Sequence, residues 1–433
     1  MQTLLIFTQK LTPRTDFVFK QICSRILGLK IDFTSVIEEF IAHQGPKLSY
    51  AKQPMGNEFF IQSYGLLEST GIEDLEVQVR PWDDSFGFFS VSEKSKLPFD
   101  IFSAAFFLLS RYEEYLPHVK DELGRYPAQE SLGFQNGFLS QPIVDIWAYK
   151  LKSELLQAFP DIEFPEKKGV VHSLLRIDQP YRYIQKGFVR SLAGYWKELS
   201  KFKFRSVFKR SRVLLGPGKD PYDQYDWLID VVSKSENLLT AFFLLGDHQE
   251  LSKGFNSRRE KIRSLIKYVG DYCEVGLLLS YHGLDDVDIL KKEKKQLEET
   301  THRSLNSSMN SDFLVMLPDM YRELVEQEIE RDFSMVYEDT PGYRAGTCTP
   351  FLFFDLDYEI KTPLVIHPIA FTTEGFNKKY ESDSLQRIMN MFDRTMELNG
   401  TFSVLFNIHD FCEDTGNSLW RNLLSEKLHA NGL

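Results

Sequence analysis

VVHSLLRIDQPYRY, residues 170–183, has the pattern of a buried β-strand that ends in charged residues. Its first half consists mainly of branched and large apolar residues, which favour a strand, and Pro180 prevents further pairing in the ladder. Side chains alternate along a strand, so Arg176 and Asp178 are expected to project from the same face at its carboxyl end. Because parallel α/β folds place their chemistry at such strand ends, this pair is the first candidate for a functional site.

Apolar segments with strand character alternate with helical patterns after residue 169. The predicted strands are 170–178, 238–246, 273–281, 312–317, 333–338, 363–371 and 401–408. The predicted helices are 222–233, 257–270, 286–299, 318–330 and 382–398. Such alternation is typical of a parallel sheet covered by helices on both faces. We therefore predict that residues 166–433 form a seven-stranded parallel β/α barrel, with an open doubly wound sheet as the alternative.

Residues 1–165 are predicted to form a separate α/β domain. A β-α-β-α pattern opens the chain with a strand at residues 3–8. The segments 99–116 and 142–159 have helical periodicity. Pro160 and the polar residues that follow it have the composition of a linker.

The charge, the cysteines and the apolar runs indicate which partners and which location to expect. With 62 acidic and 51 basic residues the net charge is -11, which argues against nucleic acid as a general partner. The four cysteines are far apart and have no CxxC spacing, as expected for reduced thiols rather than a disulfide framework or a zinc site. The first residues lack a signal-peptide pattern, and no apolar run reaches the roughly 20 residues of a membrane span. The expected location is cytoplasmic.

One interval departs from this acidic background. Residues 182–212 contain ten Lys or Arg and a single acidic residue, Glu198, with aromatic residues interleaved. A functional interpretation is an arm that faces an acidic polysaccharide, a phosphate-bearing lipid carrier or an anionic membrane surface. The alternative is a solvated, partly amphipathic insertion without a ligand.

Two further stretches contain motifs. They are FDIFSAAFFLLSRYEEYLPH from Phe99 and GYRAGTCTPFLFFDLDYEIKTPL from Gly342. With the barrel pattern, they resemble the polysaccharide deacetylases of carbohydrate esterase family 4, in a bacterial branch that has an extra N-terminal α/β domain. The resemblance implies removal of an acetyl group from an N-acetyl sugar. In active members one Asp and two His hold a divalent metal such as zinc, which activates a water, while a second Asp acts as base and a further His as acid.

The first motif of that family has two acids, and this chain has one. The register is set by Tyr181, Tyr183, Lys186 and Gly187. It places Asp178 at the metal-ligand position and Arg176 at the base. Another register makes Asp178 the base and Gln179 the replaced ligand. A guanidinium stays protonated and cannot act as a base, and an Arg176–Asp178 ion pair would fill the place of the metal.

The resemblance also assigns the remaining ligand and acid positions. Leu278 stands where one metal-binding His is expected, and His282 lies nearby as a substitute. The other ligand position falls on Asp312. Asn407 occupies the position of the acid His, and His409, two residues later, is expected on the same face of the strand.

The GYRAG motif is the best retained. Its Arg344 matches the arginine that orients the base, although a structural ion pair with an acid of the barrel is the alternative. Asp178 has an alternative too, as a strand-end cap bound to backbone amides. The expected substrate contacts are Arg176, Tyr181, Thr347 and Thr349.

These replacements lead to three hypotheses. In the first, the protein is a catalytically impaired pseudoenzyme of bacterial cell-surface polysaccharide metabolism that binds carbohydrate or a partner and needs no cofactor. In the second, it is an active metal-dependent N-deacetylase in which Asp178, Asp312 and His282 or His409 surround the metal, with Asp178, Arg344 and His409 as catalytic residues. In the third, it is a membrane-surface adaptor that uses residues 182–212. The sugar, the presence of a metal and the oligomeric state stay open at this point.

Overall fold

The structure is a computed structural model, and it describes most of the chain. The described residues are 3–184, 192, 195–196, 199–202, 204–234, 237–245, 256–280, 283, 286–378, 384–412 and 419–427. The fold is mixed α/β, with a large sheet and many helices. The chain divides into two compact units. Unit 1 comprises residues 1–170 and 312–403, and unit 2 comprises residues 171–311 and 404–433.

Residues 3–169 contain six short strands and six α-helices. The strands are β1 (Thr3–Thr8), β2 (Lys30–Thr34), β3 (Lys47–Ala51), β4 (Phe60–Gln62), β5 (Arg80–Trp82) and β6 (Ser85–Gly87). The helices are α1 (Pro13–Phe19, continued by a π-helix, Lys20–Ile26), α2 (Ile37–Ala42), α3 (Ile101–Leu109), α4 (Tyr112–Tyr115), α5 (Leu132–Gln135) and α6 (Ile143–Ala158).

The remaining elements alternate more regularly. Residues 170–311 contain β7 (Val170–Ile177), α7 (Phe204–Leu214), α8 (Tyr225–Ser233), β8 (Leu238–Leu244), α9 (Asn256–Tyr272), β9 (Glu274–Leu279), α10 (Val287–Thr301) and β10 (Ser307–Asn310). Beyond them lie α11 (Asp319–Glu326), β11 (Arg331–Asp332), β12 (Phe351–Asp355), β13 (Ile360–Ile366), β14 (Phe371–Thr372), α12 (Thr373–Lys378), α13 (Ser384–Glu397), β15 (Thr401–Asn407) and α14 (Leu419–Asn422). None of the helices in the described ranges is long and apolar enough to cross a lipid bilayer.

Unit 1 is built around a four-stranded parallel sheet of order β2-β1-β3-β4 and the fully buried helix α3. Asp100 caps α3 and accepts hydrogen bonds from two backbone amides of its first turn. The ring of Phe102 stacks on Phe19 of α1 with 3.7 Å between centroids, and Phe106 packs edge-on against Phe354 of β12. Aromatic packing of this kind explains the frequent use of Phe in the sequence.

Unit 2 contains the adjacent strands β10-β9-β8-β7, which are parallel throughout, with β15 beside β7. Strand β7 spans Val170–Ile177 and is buried along most of its length, so the strand predicted at 170–178 is confirmed. The strands predicted at 238–246 and 273–281 are also present as β8 and β9, shortened at their ends.

Two predicted strands are wrong. Residues 312–317 and 333–338 are not strands, and short strands lie before them at Ser307–Asn310 and Arg331–Asp332. All four residues of β10 are buried although three of them are polar, so pairing with β9 overrides their low strand propensity.

The sheet is not parallel throughout. Strand β12 pairs antiparallel with β13. Only residues 356–359 connect the two strands, and such a short connection permits a hairpin but not a parallel crossover. The prediction of an entirely parallel sheet is therefore corrected at this hairpin. The closed seven-stranded barrel stays a prediction, as does the division into domains 1–165 and 166–433.

Candidate functional site

The loop that follows β7 begins with Asp178. The side chain of Asp178 is half-buried, and its carboxylate accepts a hydrogen bond from the backbone amide of Gln179 at 2.8 Å. Among the residues that the structure describes, no ion pair joins Asp178 to Arg176, which has contacts of its own elsewhere. The expected Arg176–Asp178 pair is therefore not formed, and Asp178 interacts with the backbone in the manner of a strand-end cap.

A buried carboxylate holds the rest of this loop. Asp220, which is 2% exposed, accepts hydrogen bonds from the backbone amides of Arg182 and Tyr183, each at 2.8 Å. The hydroxyl of Tyr225, at the start of α8, donates to the backbone carbonyl of Pro180 at 2.9 Å. The loop is thus fastened to the segment that leads into α8, and this attachment positions Tyr181.

Beside the loop lies a cleft of about 770 Å³, which we call the tyrosine–acid cleft. It is formed by residues 181–184, by the segment around the start of α8, and by α9. Its wall carries three tyrosines and three carboxylates: Tyr181, Tyr225, Tyr268, Asp223, Asp226 and Glu260. A volume of this size is typical of a site for a small molecule.

The carboxylates of the cleft have unequal proton affinities. The hydroxyl of Tyr268 donates a hydrogen bond of 2.7 Å to Asp226, and this bond, with Lys219 nearby, lowers the pKa of Asp226. Burial raises the pKa of Asp223, the neighbouring Asp226 raises it further, and Lys219 opposes both effects. Asp226 is therefore an anion at neutral pH, while Asp223 takes up a proton more readily.

The phenols of the cleft keep their protons at neutral pH. The hydrogen bond to Asp226 raises the pKa of Tyr268 to about 12. Burial, together with the charge of Asp223, raises the pKa of Tyr181 to about 12. The cleft thus combines apolar ring surface, neutral hydroxyl groups and carboxylate acceptors, which suits a ligand that has both apolar faces and hydroxyl or ammonium donors.

The two residues at the predicted acid position lie at the end of β15. Asn407 caps a 3-10 helix, Ile408–Phe411, in a reciprocal arrangement in which Asp410 accepts from the Asn407 amide at 2.8 Å. His409 belongs to that helix, so strand alternation does not place it on the face of Asn407, and this premise of the prediction is wrong. The imidazole lies 6.1 Å from the ring of Tyr222, centroid to centroid. A role of His409 as an acid stays a prediction.

Arg344 lies in a buried charge cluster of unit 1. Its guanidinium donates to both carboxylate oxygens of Glu114, at 2.8 and 2.7 Å, and Arg111 donates to the same carboxylate at 2.7 Å. Burial by itself would raise the pKa of Glu114, but the charges of Arg344 and Arg111 outweigh it and hold that pKa at about 2. Arg344 thus forms a structural ion pair, but its partner is Glu114 of α4 and not an acid of the predicted barrel, residues 166–433. Orientation of a base by Arg344 stays a prediction.

Thr347 and Thr349 also have partners in unit 1. Their hydroxyls donate to the two carboxylate oxygens of Asp145 in α6, at 2.6 and 2.5 Å, and the backbone amide of Cys348 donates to the same carboxylate at 3.0 Å. Asp145 is fully buried, and burial raises its pKa although these donors oppose the shift. The GYRAGTC motif therefore fixes α6. The predicted substrate contacts of the two threonines are not tested.

The metal-binding residues of the prediction lie as follows, and a metal site stays a prediction. Leu278 is fully buried in β9, and the backbone carbonyl of Asp312 accepts a hydrogen bond of 2.9 Å from Arg125. His282 lies outside the described residues. Within the described ranges, no group of three or more His, Cys, Asp or Glu side chains is arranged to hold a metal ion. Because the described donors do not form a set, we derive no step through a metal.

Sequence reasoning predicted Tyr181 in the site and missed the acids opposite it. Asp220, Asp223 and Asp226 recur at three-residue intervals in DPYDQYDW, directly before and within the first turn of α8. That spacing is the signal in the sequence, because residues three apart at the start of a helix lie on the same side of it. Which strand-end loop they face depends on the tertiary structure.

Comparisons with known proteins give weak similarities. A model of a family of unknown function, DUF7033, matches residues 4–160, which is less than half of the chain. No curated protein gives a significant match. Among solved structures, a proposed polysaccharide deacetylase from Mycobacterium smegmatis is 12% identical with a TM-score of 0.34, over 61% of this chain and 87% of that chain. A GH138 enzyme targeting pectin rhamnogalacturonan II is 9% identical with a TM-score of 0.27, over 99% of this chain and 64% of that chain. Similarities at this level assign neither a family nor a function.

Proposed function

We propose that the protein binds a carbohydrate in the tyrosine–acid cleft and that it is a catalytically impaired relative of the polysaccharide deacetylases. The observation that carries the proposal is the convergence of three tyrosines and three carboxylates on one cleft of about 770 Å³. The cleft adjoins the loop after β7, where parallel α/β folds place their binding sites. The proposal includes a deacetylase-type β/α barrel, which the parallel order β10-β9-β8-β7 supports, and a cytoplasmic role in bacterial polysaccharide metabolism.

The chemistry of the wall suits a sugar. Pyranose rings have apolar C–H faces that pack on aromatic rings, and hydroxyl groups that donate to carboxylates. The ring of Tyr181 and the Tyr268–Asp226 pair supply both kinds of contact. Because Lys261 is the single basic residue among the described residues of the wall, against three acids, neutral or amino sugars are favoured over uronic acids.

The residues at the expected base and ligand positions support binding without deacetylation. Arg176 stands where the resemblance expects the base, and its guanidinium cannot accept a proton at a working pH. Leu278, a buried hydrocarbon side chain, stands where it expects an imidazole ligand. Asp178 alone cannot serve both as a metal ligand and as a base.

Calorimetric titration with defined oligosaccharides tests this function. The probes are N-acetylated chitooligosaccharides, their deacetylated amino-sugar counterparts and oligogalacturonate. We expect binding of the first or second probe and much weaker binding of the acidic third. Tyr181→Ala and Tyr268→Ala should each weaken binding about tenfold or more, since each removes a stacking ring.

The matched control removes a tyrosine elsewhere. Tyr358→Ala changes a side chain that is 66% exposed in unit 1, and it should leave affinity unchanged. The proposal is overturned if none of the three probes binds, or if both cleft variants bind as tightly as the wild type.

The active deacetylase with a rewired site is the alternative function. It requires Asp178, Asp312 and His282 or His409 to hold a divalent metal. In that case zinc should support release of acetate from N-acetylated oligosaccharides, and Asp178→Asn should abolish it. Absence of acetate release from the wild type with zinc present would count against the alternative and would leave the binding proposal intact.

The third hypothesis, contact with an anionic membrane surface through residues 182–212, depends on the basic composition of that interval and has a test of its own.

A further inference from the structure

Helix α7 and the residues around it expose an unusual amount of aromatic and aliphatic surface. The exposed fractions are 78% for Trp196, 78% for Phe202, 61% for Phe204, 67% for Phe208 and 83% for Leu215. Single exposed apolar residues are ordinary on a protein surface, whereas a concentration of this kind marks an interaction site.

Three of these exposed apolar residues share one side of the helix. At about 100° per residue, Phe204, Phe208 and Leu215 fall within about 40° of one another around the α7 axis. Val213 and Arg210 lie on the opposite side, and both are buried. The guanidinium of Arg210 stacks over Tyr183, 4.8 Å from the ring centroid. Helix α7 is therefore fastened by one face, and its apolar stripe points away from the anchored side.

Basic side chains run along this stripe. Arg205, Lys209 and Arg212 lie about 80–140° around the helix from Phe204, on the flank between the apolar stripe and the buried face. Arg205 and Arg212 are exposed, and Lys209 is half-buried. The surrounding interval, residues 182–212, has ten basic residues and one acidic residue, in a chain whose net charge is -11. The charge of this interval of the sequence is thus opposite in sign to that of the chain as a whole.

We propose that α7 is an interfacial helix that lies flat on an anionic phospholipid surface. Large apolar side chains flanked by Lys and Arg are the pattern of a helix that buries its apolar face at the boundary between headgroups and acyl chains. The partner is assigned by charge complementarity, because anionic lipids attract basic residues and the aromatic rings enter the interface. Eleven residues span only about 16 Å, which suits a helix lying in the plane of the surface.

Flotation of the full chain with vesicles tests the proposal. We expect binding to vesicles of phosphatidylcholine mixed with phosphatidylserine, little binding to phosphatidylcholine alone, and loss of binding as salt is raised. The double variant Arg205→Gln with Lys209→Gln should weaken binding roughly 20–30-fold, since each basic residue near such a surface contributes about fivefold. The double variant Phe204→Ser with Phe208→Ser should weaken it about tenfold or more.

Matched controls separate this effect from general changes in charge or folding. Lys291→Gln with Lys295→Gln removes the same charge from exposed positions of α10 and should leave flotation unchanged. Circular dichroism should show that all variants keep the wild-type helix content, since the altered side chains are largely exposed.

Three results would overturn the proposal. One is equal flotation with neutral and anionic vesicles, and another is an equal loss in the α10 control. The third is binding to a soluble acidic polysaccharide without flotation, which would assign the surface to that class of partner. Sugar binding in the tyrosine–acid cleft has separate probes, so failure of either proposal is distinguishable from failure of the other.

Discussion

Replacement of Glu114 by Gln tests the energetic role of the buried charge cluster in unit 1. The side chain of Glu114 is 4% exposed and receives three hydrogen bonds of 2.7–2.8 Å from Arg344 and Arg111. Glu114→Gln leaves two buried guanidinium groups facing a neutral amide. Removing one partner of a buried ion pair costs about 3–5 kcal/mol. We therefore expect the free energy of unfolding, measured by urea denaturation at neutral pH, to fall by about that amount.

The pH dependence gives a second measure of the same interaction. The pKa of Glu114 is about 2 in the folded protein, against 4.5 in the unfolded chain. A carboxyl group whose pKa is lower in the folded than in the unfolded state stabilises the fold. This stabilisation is complete at pH values above the unfolded-state pKa, and it is lost as pH falls through the folded-state pKa. A shift of this size corresponds to about 3 kcal/mol. The stability difference between wild type and Glu114→Gln should therefore shrink between about pH 4.5 and about pH 2.

The control makes the same chemical change at an exposed pair. Glu397 is 63% exposed and lies 3.0 Å from Arg394, so Glu397→Gln should cost less than about 1 kcal/mol at any of these pH values. A cost below about 1 kcal/mol for Glu114→Gln, or a difference from wild type that does not change with pH, would refute the reasoning.

Three further substitutions probe two other buried carboxylates, Asp220 and Asp145. Asp220→Ala removes the acceptor of backbone amides in the loop after β7. We expect the free energy of unfolding, measured by urea denaturation, to fall by about 1–3 kcal/mol and residues 178–184 to be cleaved faster by a protease. An unchanged cleavage rate would contradict this. Thr347→Val removes a hydroxyl that donates to the fully buried Asp145, and it should lower the free energy of unfolding by about 1–3 kcal/mol. Thr349→Ser keeps the hydroxyl that donates to the same carboxylate and should lower it less. Equal losses would contradict the assignment.

Most of the secondary structure could be predicted from local pattern. The helix predicted at 142–159 is α6 (Ile143–Ala158), and the strand predicted at 170–178 is β7 (Val170–Ile177). Periodicity and start or stop residues act between close neighbours in the chain, so the sequence shows them directly. Strand β10 (Ser307–Asn310) could not be found in this way, because its polar residues form a strand only through pairing with β9.

The candidate site, too, could be predicted from local sequence only in part. Tyr181 could be assigned to a strand-end loop from the sequence, because Pro180 ends the strand there. The acids that face it could not, because Asp223 and Asp226 reach the cleft through the packing of α8 and α9.

What the sequence by itself determined is the alternation of elements and the basic character of residues 182–212. These follow from residue type and spacing alone. The tertiary structure decided the partners: Arg344 meets Glu114 across 230 positions, and Thr347 meets Asp145 across 202. Such pairs form because a buried charge or hydroxyl must find a partner in the folded interior. Many positions satisfy that need in principle, and only packing selects one.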